Sequence, residues 1–252
     1  MVDFIRSYQL LSAFDNDFVL KSSVFKGFKL MEKDFWFRRW KKNEIGFHMT
    51  DSHHLLQKFF PLLETRPGDT LFVPLCGKSP DLVWLHEQGC KVVGIELSRT
   101  AVEAFSRENG LAGDWTTVAG MPCYCAEGYQ LFCDDFFKLT TDDLSSARTV
   151  YDRASLVALP PEMRIRYANH LAALLPSGSR VLLVSYEYKQ SETHGPPFSV
   201  TQKEVGDLFS SKFQIELLVE EDALWSHQGL VERGVTKLSE SAMLLKRTSS
   251  VF

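Results

Sequence analysis

The sequence predicts an α/β fold built on a mainly parallel, seven-stranded sheet with helices on both faces. The main observation is that short apolar segments typical of strands alternate with helical segments from about residue 52 onwards. The chain has 252 residues, which suits one large domain better than two complete ones. Its 44% hydrophobic and 24% charged residues are typical of a globular domain with a sizeable core.

Seven segments have the length and the apolar character of strands. They are residues 70–74, 91–95, 129–133, 147–151, 180–185, 213–219 and 241–246. A helix capped by Asp51 or Ser52 is predicted to run to about Leu63, and further helices are predicted over residues 79–88, 99–108, 161–175 and 201–210. Residues 111–128 are rich in turn formers, which predicts a loop or a small hairpin inserted at the sheet edge.

The N-terminal part of the chain divides into two sections. Residues 1–30 form an extension of unclear status, and residues 31–252 are predicted to form a single domain. Within that domain, Trp36 and Trp40 are four positions apart and therefore share one face of a helix. Residues 31–50 are thus predicted to form a lid that closes over a bound ligand. A helix that only covers the sheet edge is an alternative compatible with the same pattern.

Charge and cysteine content exclude several functional classes. The net charge of −4 provides no basic surface for nucleic acid, and no apolar run approaches the roughly 18 residues that span a bilayer. Five cysteines without a secretory signal predict reduced thiols in a cytoplasmic protein. Cys123 and Cys125 lack the second ligand pair of a zinc site, so no metal is predicted. We expect a monomer whose partners are small molecules.

The loop after the first strand, Pro74–Ser79, is poor in glycine. It contains neither the G-x-G-x-x-G fingerprint of dinucleotide sites nor the complete phosphate loop that ends in G-K-[ST]. This argues against a pyrophosphate or triphosphate ligand. A ligand without phosphate needs no such cradle, and S-adenosylmethionine, which joins adenosine to a methionyl sulfonium, is one.

Acidic residues follow the next two strands of the predicted sheet. Glu96 ends the second strand 19 positions after Gly77, where a carboxylate accepts hydrogen bonds from the two ribose hydroxyls. Asp135 and Phe136 follow the third strand and supply a polar group and a flat apolar ring for adenine. A solvated glutamate at a strand end, and core phenylalanines beside surface acids, are the structural alternatives.

Two adjacent charged residues, Asp152 and Arg153, follow the fourth strand. A charged pair at the end of a buried strand is costly unless the charges are paired or used. The pair is therefore either a local ion pair or part of the site. In the second case, Arg153 lies in the cleft and binds a carboxylate or an anionic substrate.

Taken together, the motifs resemble those of the thiopurine S-methyltransferase family over residues 32–247. They are Trp36 with Trp40, Gly46–His48, Phe72–Lys78, Val92–Ser98, Tyr151–Ala158 and His194–Phe198. The resemblance implies a Rossmann-like class I methyltransferase fold with an aromatic lid helix. It implies that the S-adenosylmethionine site is lined by Trp36, Trp40, Leu75, Glu96, Asp135, Phe136 and Arg153. It also implies that the methyl acceptor is bordered by Phe47, Arg153 and an arginine before the last strand, for which only Arg233 is available.

The resemblance implies methyl transfer from S-adenosylmethionine to the sulfur of aromatic or heterocyclic thiols. Most of the catalysis then comes from proximity and orientation, and Arg153 is the catalytic residue that stabilises the anionic sulfur. His48 and Asp152 are potential proton acceptors. Alternative functions are methylation of selenium, tellurium or small thiol anions, and non-catalytic binding of S-adenosylmethionine or metalloid anions. A nicotinamide-dependent dehydrogenase is disfavoured by the missing glycine fingerprint.

Overall fold

The computed structural model describes residues 33–45 and 49–249, and their strands form one nine-stranded sheet. The order of the strands across the sheet is β3-β4-β5-β2-β1-β6-β7-β9-β8. Their bounds are β1 Thr70–Val73, β2 Lys91–Glu96, β3 Gly113–Val118, β4 Met121–Ala126, β5 Tyr129–Cys133, β6 Ala147–Arg153, β7 Arg180–Tyr188, β8 Phe213–Asp222 and β9 Leu238–Arg247.

Seven α-helices accompany these strands in the described part of the chain. They are α1 Lys33–Lys41, α2 His54–Phe59, α3 Asp81–Glu87, α4 Arg99–Glu108, α5 Pro161–Leu174, α6 Gln202–Phe209 and α7 Gln228–Val231. A membrane-crossing helix would have to be longer and more apolar than any of these. The predicted helices over 99–108, 161–175 and 201–210 are confirmed to within a residue at each end.

All seven predicted strands are present, and the segment 111–128 adds two more. It forms an antiparallel hairpin of β3 and β4, and β4 pairs with β5 from Cys123 opposite Phe132 to Ala126 opposite Tyr129. The hairpin alternative is therefore confirmed, but it extends the sheet and raises the strand count from seven to nine. Because turn formers mark only the ends of a hairpin, they did not reveal that its strands pair with the sheet.

The predicted helix from Asp51 or Ser52 to Leu63 begins later and is divided in two. His53 caps α2, since its Nδ1 accepts a hydrogen bond from the Leu55 N–H at 3.3 Å. After Phe59 the chain tightens into a 3₁₀ helix, Phe60–Leu63, that carries a proline in its first turn. Proline has no N–H for the α-helical ladder, so the α-helix ends where Pro61 enters.

The five central strands, β5, β2, β1, β6 and β7, are parallel. From β1 the chain first adds strands on one side of the sheet and then, with β6, on the other side, so the strand order reverses between β1 and β6. β1 pairs with β2 on one side and with β6 on the other, in parallel on both sides. In open α/β sheets, ligands bind at the carboxyl ends of the strands on either side of such a reversal. The carboxyl ends of β1, β2, β5 and β6 and the loops after them all lie at this edge, and they carry Leu75, Glu96, Asp135, Phe136 and Arg153.

Candidate active site

A cleft of about 560 Å³ opens at the carboxyl edge of the sheet. This volume is in the range of small-molecule sites. Residues of α1 and α5 form two of its walls, and the strand ends and loops of β1, β2, β5 and β6 form the rest. The residues that line it include Trp36, Leu75, Ile95, Leu97, Asp135 and Phe136.

The loop after β1 forms a tight turn at the base of the site. Leu75 has a φ of 45°, a left-handed conformation that costs a non-glycine residue about 1–3 kcal/mol and is concentrated at functional sites. Cys76 packs beneath the loop, and a Cβ on Gly94 would lie only 2.7 Å from its Sγ. Burial raises the pKa of the Cys76 thiol well above its usual value, so this cysteine is not an activated nucleophile.

The Glu96 carboxylate lies under this loop and holds it in place. Its Oε2 accepts the Gly77 N–H at 3.0 Å, and its Oε1 accepts the Ser98 N–H at 2.7 Å. Burial raises the pKa of Glu96 to about 7, and these backbone N–H groups limit the rise. Each carboxylate oxygen retains a further lone pair, so Glu96 can still accept hydrogen bonds from a ligand's hydroxyls.

Phe136 and Asp135 contribute an apolar and an acidic group to the cleft. The Phe136 ring is 4% exposed and packs against Tyr167, with 4.8 Å between the ring centres. Asp135 accepts the Phe137 N–H through Oδ1 and forms an ion pair with Lys33 through Oδ2, at 3.1 Å. The flat ring and the carboxylate thus lie side by side, an arrangement that suits adenine and its exocyclic amine.

Helix α1 covers the site, and its two tryptophans contact different parts of it. Trp36 lines the cleft itself. Trp40 is 7% exposed and packs on the β1 loop, where a Cβ on Gly77 would lie 3.2 Å from its ring. The ion pair of Lys33 with Asp135 joins this helix to the cleft wall.

Arg153 is buried at the end of β6, outside the lining of the cleft. Its Nη1 lies 3.6 Å from Asp81 Oδ2, and its Nη2 lies 2.6 Å from Met49 Sδ. Within the described part of the chain, its Nε has no hydrogen-bond partner. A buried guanidinium with spare donors can bind an anionic ligand.

The alternative of a local ion pair between Asp152 and Arg153 is wrong. Successive residues of a strand point to opposite faces, so the two side chains lie on opposite sides of the sheet. Asp152 is fully buried, and its Oδ2 accepts a hydrogen bond from the Tyr167 hydroxyl at 2.6 Å. Burial raises its pKa to about 6. Because it faces away from Arg153, Asp152 is not placed to take a proton from an acceptor held there.

A buried polar cluster that the sequence did not reveal surrounds Arg153. Its members come from separate segments of the chain: His53, Asp81, Tyr151, Tyr186, His227 and Glu240. His53 Nε2 lies 3.2 Å from Glu240 Oε1, and the His53 N–H donates to Asp81 at 2.7 Å. The Tyr151 hydroxyl is buried and has no hydrogen-bond partner within residues 33–45 and 49–249. No motif joins these residues, because only the folded chain brings them together.

Arg233, which was predicted to border the acceptor, is not part of this cluster. Arg233 is exposed, and its guanidinium donates to the carbonyl oxygens of Gly229, His194 and Pro196. It therefore braces the loop around residues 194–197. Phe47 and His48 lie outside the described residues.

The described part of the chain contains one grouping with metal-ligand geometry, formed by His53, His54 and Glu240. His53 Nδ1 accepts the Leu55 N–H, so its ring proton is on Nε2, the nitrogen that faces Glu240. A protonated nitrogen donates a hydrogen bond and does not bind a metal. The Sγ atoms of Cys123 and Cys125 lie 3.7 Å apart, and burial raises the pKa of Cys123, which disfavours the thiolate that binds metals.

Comparison with known structures shows the fold. A S-adenosylmethionine-dependent methyltransferase from Anabaena variabilis aligns with 85% of this chain and 94% of its own, with a TM-score of 0.59 and 17% identity. The 1,6-didemethyltoxoflavin-N1-methyltransferase of Burkholderia thailandensis, solved with S-adenosylhomocysteine, aligns with 89% of this chain and 90% of its own, with a TM-score of 0.58 and 13% identity. Both confirm the Rossmann-like class I methyltransferase fold.

Comparison of sequences shows the family. The family model of thiopurine S-methyltransferase matches residues 31–248. The thiopurine S-methyltransferase of Nitrosospira multiformis is 45% identical over 215 residues, which are 85% of this chain and 98% of that protein. The one from Pseudomonas aeruginosa is 43% identical over 217 residues, which are 86% of this chain and 100% of that protein. This chain therefore belongs to the thiopurine S-methyltransferase family and is a S-adenosylmethionine-dependent methyltransferase.

Proposed function

We propose that the enzyme methylates the sulfur of aromatic or heterocyclic thiols. The observation that carries this proposal is the buried Arg153 guanidinium, whose Nε has no partner in the described structure, beside the aromatic side chains of Tyr151 and Tyr186. Aromatic surroundings with a fixed cation suit a planar, anionic thiolate. The names of the relatives in Nitrosospira multiformis and Pseudomonas aeruginosa support the same substrate class.

The residues of the cleft fit S-adenosylmethionine. Of the residues that line it, Phe136 and Asp135 would hold the adenine, and Leu75 and Trp36 would pack against the ligand. Glu96 is buried beneath the β1 loop, between the lining residues Ile95 and Leu97, and would accept the ribose hydroxyls. Bound there, S-adenosylmethionine supplies an activated methyl group. The chain's own contribution is to exclude water with α1, to orient the two reactants, and to stabilise the anionic sulfur with Arg153.

A product-detected screen tests the proposal. The enzyme is incubated with methyl-labelled S-adenosylmethionine and a panel of aromatic thiols, aliphatic thiols, selenite and tellurite. Aromatic and heterocyclic thiols are expected to give S-methyl products with the highest kcat/KM. Labelled products from selenite or tellurite alone would show that sulfur is not the acceptor atom.

The raised pKa of Glu96 predicts that cofactor affinity depends on pH. Below pH 7 the carboxyl binds a proton and loses acceptor capacity, so a ligand that donates to the carboxylate competes with that proton. Affinity for S-adenosylhomocysteine is therefore expected to rise with pH, by about tenfold per unit well below pH 7, and to level off above it. Calorimetry between pH 5.5 and 8.5 measures this. In Glu96→Gln, which cannot ionise, this rise should vanish, and an identical pH dependence in both proteins would contradict the assignment.

The position of α1 predicts that cofactor binding protects this helix from hydrogen exchange. If α1 opens only when the site is empty, ligand at 100 times its Kd slows exchange over residues 33–45 by about a hundredfold. Exchange with and without S-adenosylhomocysteine is compared by mass spectrometry. Strand β8, at the edge of the sheet opposite the β3–β4 hairpin, serves as the internal control. If exchange in α1 is the same with and without ligand, α1 is not a lid and only covers the edge of the sheet.

A further inference from the structure

His227 lies at the border of the polar cluster around Arg153. Of its side-chain surface 16% is exposed, whereas Glu240 behind it retains only 1%. The imidazole packs edge-on against Tyr186, with 4.8 Å between the ring centres, and its Nε2 lies 4.0 Å from Glu240 Oε1. The ring therefore connects the buried carboxylate with the outside of the protein.

The charges around His227 favour a neutral ring that can take up a proton. Three segments contribute them: Glu240 on β9, Arg153 on β6 and His53 before α2. Burial is the main influence and lowers the pKa of His227, Glu240 raises it, and Arg153 and His53 lower it further. At neutral pH the imidazole thus has a free nitrogen, and the nearby Glu240 stabilises the cation formed on protonation.

Glu240 is held as a carboxylate beside His53. Its pKa is lowered despite its burial, because the ring of His53 lies 3.2 Å from its Oε1 and the positive charge of Arg153 favours its ionised form. His53 is in turn fixed by the Leu55 N–H on its other nitrogen. The Oε1 atom of Glu240 therefore lies close to both imidazoles, 3.2 Å from His53 Nε2 and 4.0 Å from His227 Nε2.

We propose that His227 is the base that accepts the proton of the thiol acceptor, with Glu240 as the positioning residue behind it. This rests on the proposed function, because it places the acceptor sulfur beside Arg153. The thiol proton passes to the free ring nitrogen, and a sulfur lone pair forms the new bond to the methyl carbon. The electron pair of the broken bond remains on the former sulfonium sulfur, which becomes a neutral thioether. The imidazolium then releases its proton to water through its exposed edge.

The proposal predicts that His227 determines which thiols are methylated. An acceptor that is already ionised at pH 7 needs no base, whereas a thiol with a pKa of about 9 is largely protonated there. General base catalysis contributes about 10²–10⁴-fold. The residue would therefore extend the substrate range from acidic aromatic thiols to less acidic ones.

Kinetics of His227→Gln with two acceptors of different acidity test the proposal. The variant is expected to lose about a hundredfold or more in kcat/KM for the less acidic thiol at pH 7, and little for the acidic one. The loss should disappear when the pH is raised above the thiol's pKa, because the acceptor then ionises without help. His54→Gln is the matched control, since His54 is exposed and binds Glu221 at the surface. Equal losses for both thiols at every pH would overturn the role of His227.

A measurement without turnover provides an independent readout. With S-adenosylhomocysteine bound, the ultraviolet thiolate band of an added aromatic thiol reports its ionisation in the site. At a pH below the pKa of the free thiol, the band is expected in the wild type, weaker in Glu240→Gln and weakest in His227→Gln. Bands of equal strength in folded variants would overturn the proposal. If the wild type methylates no thiol at all, the proposed function fails, which the screen above shows separately.

Discussion

Replacing Arg153 by alanine is expected to lower kcat/KM for a thiol acceptor by about a hundredfold or more. Removing one fixed hydrogen-bond donor that is directed at a negative charge in the transition state lowers kcat by about 10²–10³-fold. The same substitution removes the ion-pair partner of Asp81, whose side chain is 2% exposed. The His53 N–H then remains as a donor to its carboxylate in the described structure. Breaking a buried ion pair costs about 3–5 kcal/mol, so the free energy of unfolding should fall as well. Urea unfolding and steady-state kinetics measure the two effects.

Two further variants separate the roles of the Arg153 side chain. Arg153→Lys keeps the charge and loses the planar fork, so it should recover most of the stability and little of the rate. Arg148→Ala removes an exposed arginine from the same strand and should change neither. If Arg153→Ala stays folded and methylates acidic thiols at the wild-type rate, Arg153 is a structural residue and the acceptor lies elsewhere.

Replacing Glu96 by alanine is expected to weaken cofactor binding by about tenfold to a hundredfold. The ribose hydroxyls would lose their charged acceptor, and a hydrogen bond to a charged group is worth about 1.5–3 kcal/mol. The Gly77 and Ser98 N–H groups would also lose their partner, which loosens the loop beneath the ligand. Calorimetry with S-adenosylhomocysteine measures the affinity directly.

The matched control for Glu96 is Glu103→Ala on helix α4. Glu103 forms an exposed ion pair with Arg99, and such pairs contribute about 0–1 kcal/mol. Its removal should therefore leave cofactor affinity unchanged. A Glu96→Ala protein that folds and binds S-adenosylhomocysteine as tightly as the wild type would rule out the ribose assignment.

Much of the fold could be predicted because hydrophobic periodicity is a local property. Helix α4 and strand β5 were predicted with the bounds that the structure gives, since each has a clear apolar pattern between turn residues. Where local signals compete, the prediction was less accurate. For the helix before β1, the predicted start was too early and the change to a 3₁₀ helix after Phe59 was missed. The cap at His53 and the effect of Pro61 depend on the detailed path of the backbone.

The two sides of the site were predictable to different degrees. Leu75, Asp135 and Phe136 follow strand ends and do line the cleft, because parallel strands bring their carboxyl ends to one edge. The contribution of α5, such as Tyr167, required the packing of a helix that begins far away in the chain. Whether Glu96 and the other predicted residues hold the cofactor remains a prediction for the experiments above.

By itself, the sequence determined the fold class and the family motifs, and it indicated that the cleft opens at the carboxyl edge of the sheet. These features depend on residue types and their local order. Only the tertiary structure decided the partners of the charged side chains. Asp152 and Arg153 are neighbours in the chain, but successive side chains of a strand point to opposite faces of the sheet. Asp152 therefore binds the Tyr167 hydroxyl, and Arg153 pairs with Asp81. His53, His227 and Glu240 are far apart in sequence and lie together in space. Electrostatic pairing is set by distance through space, which no local pattern encodes.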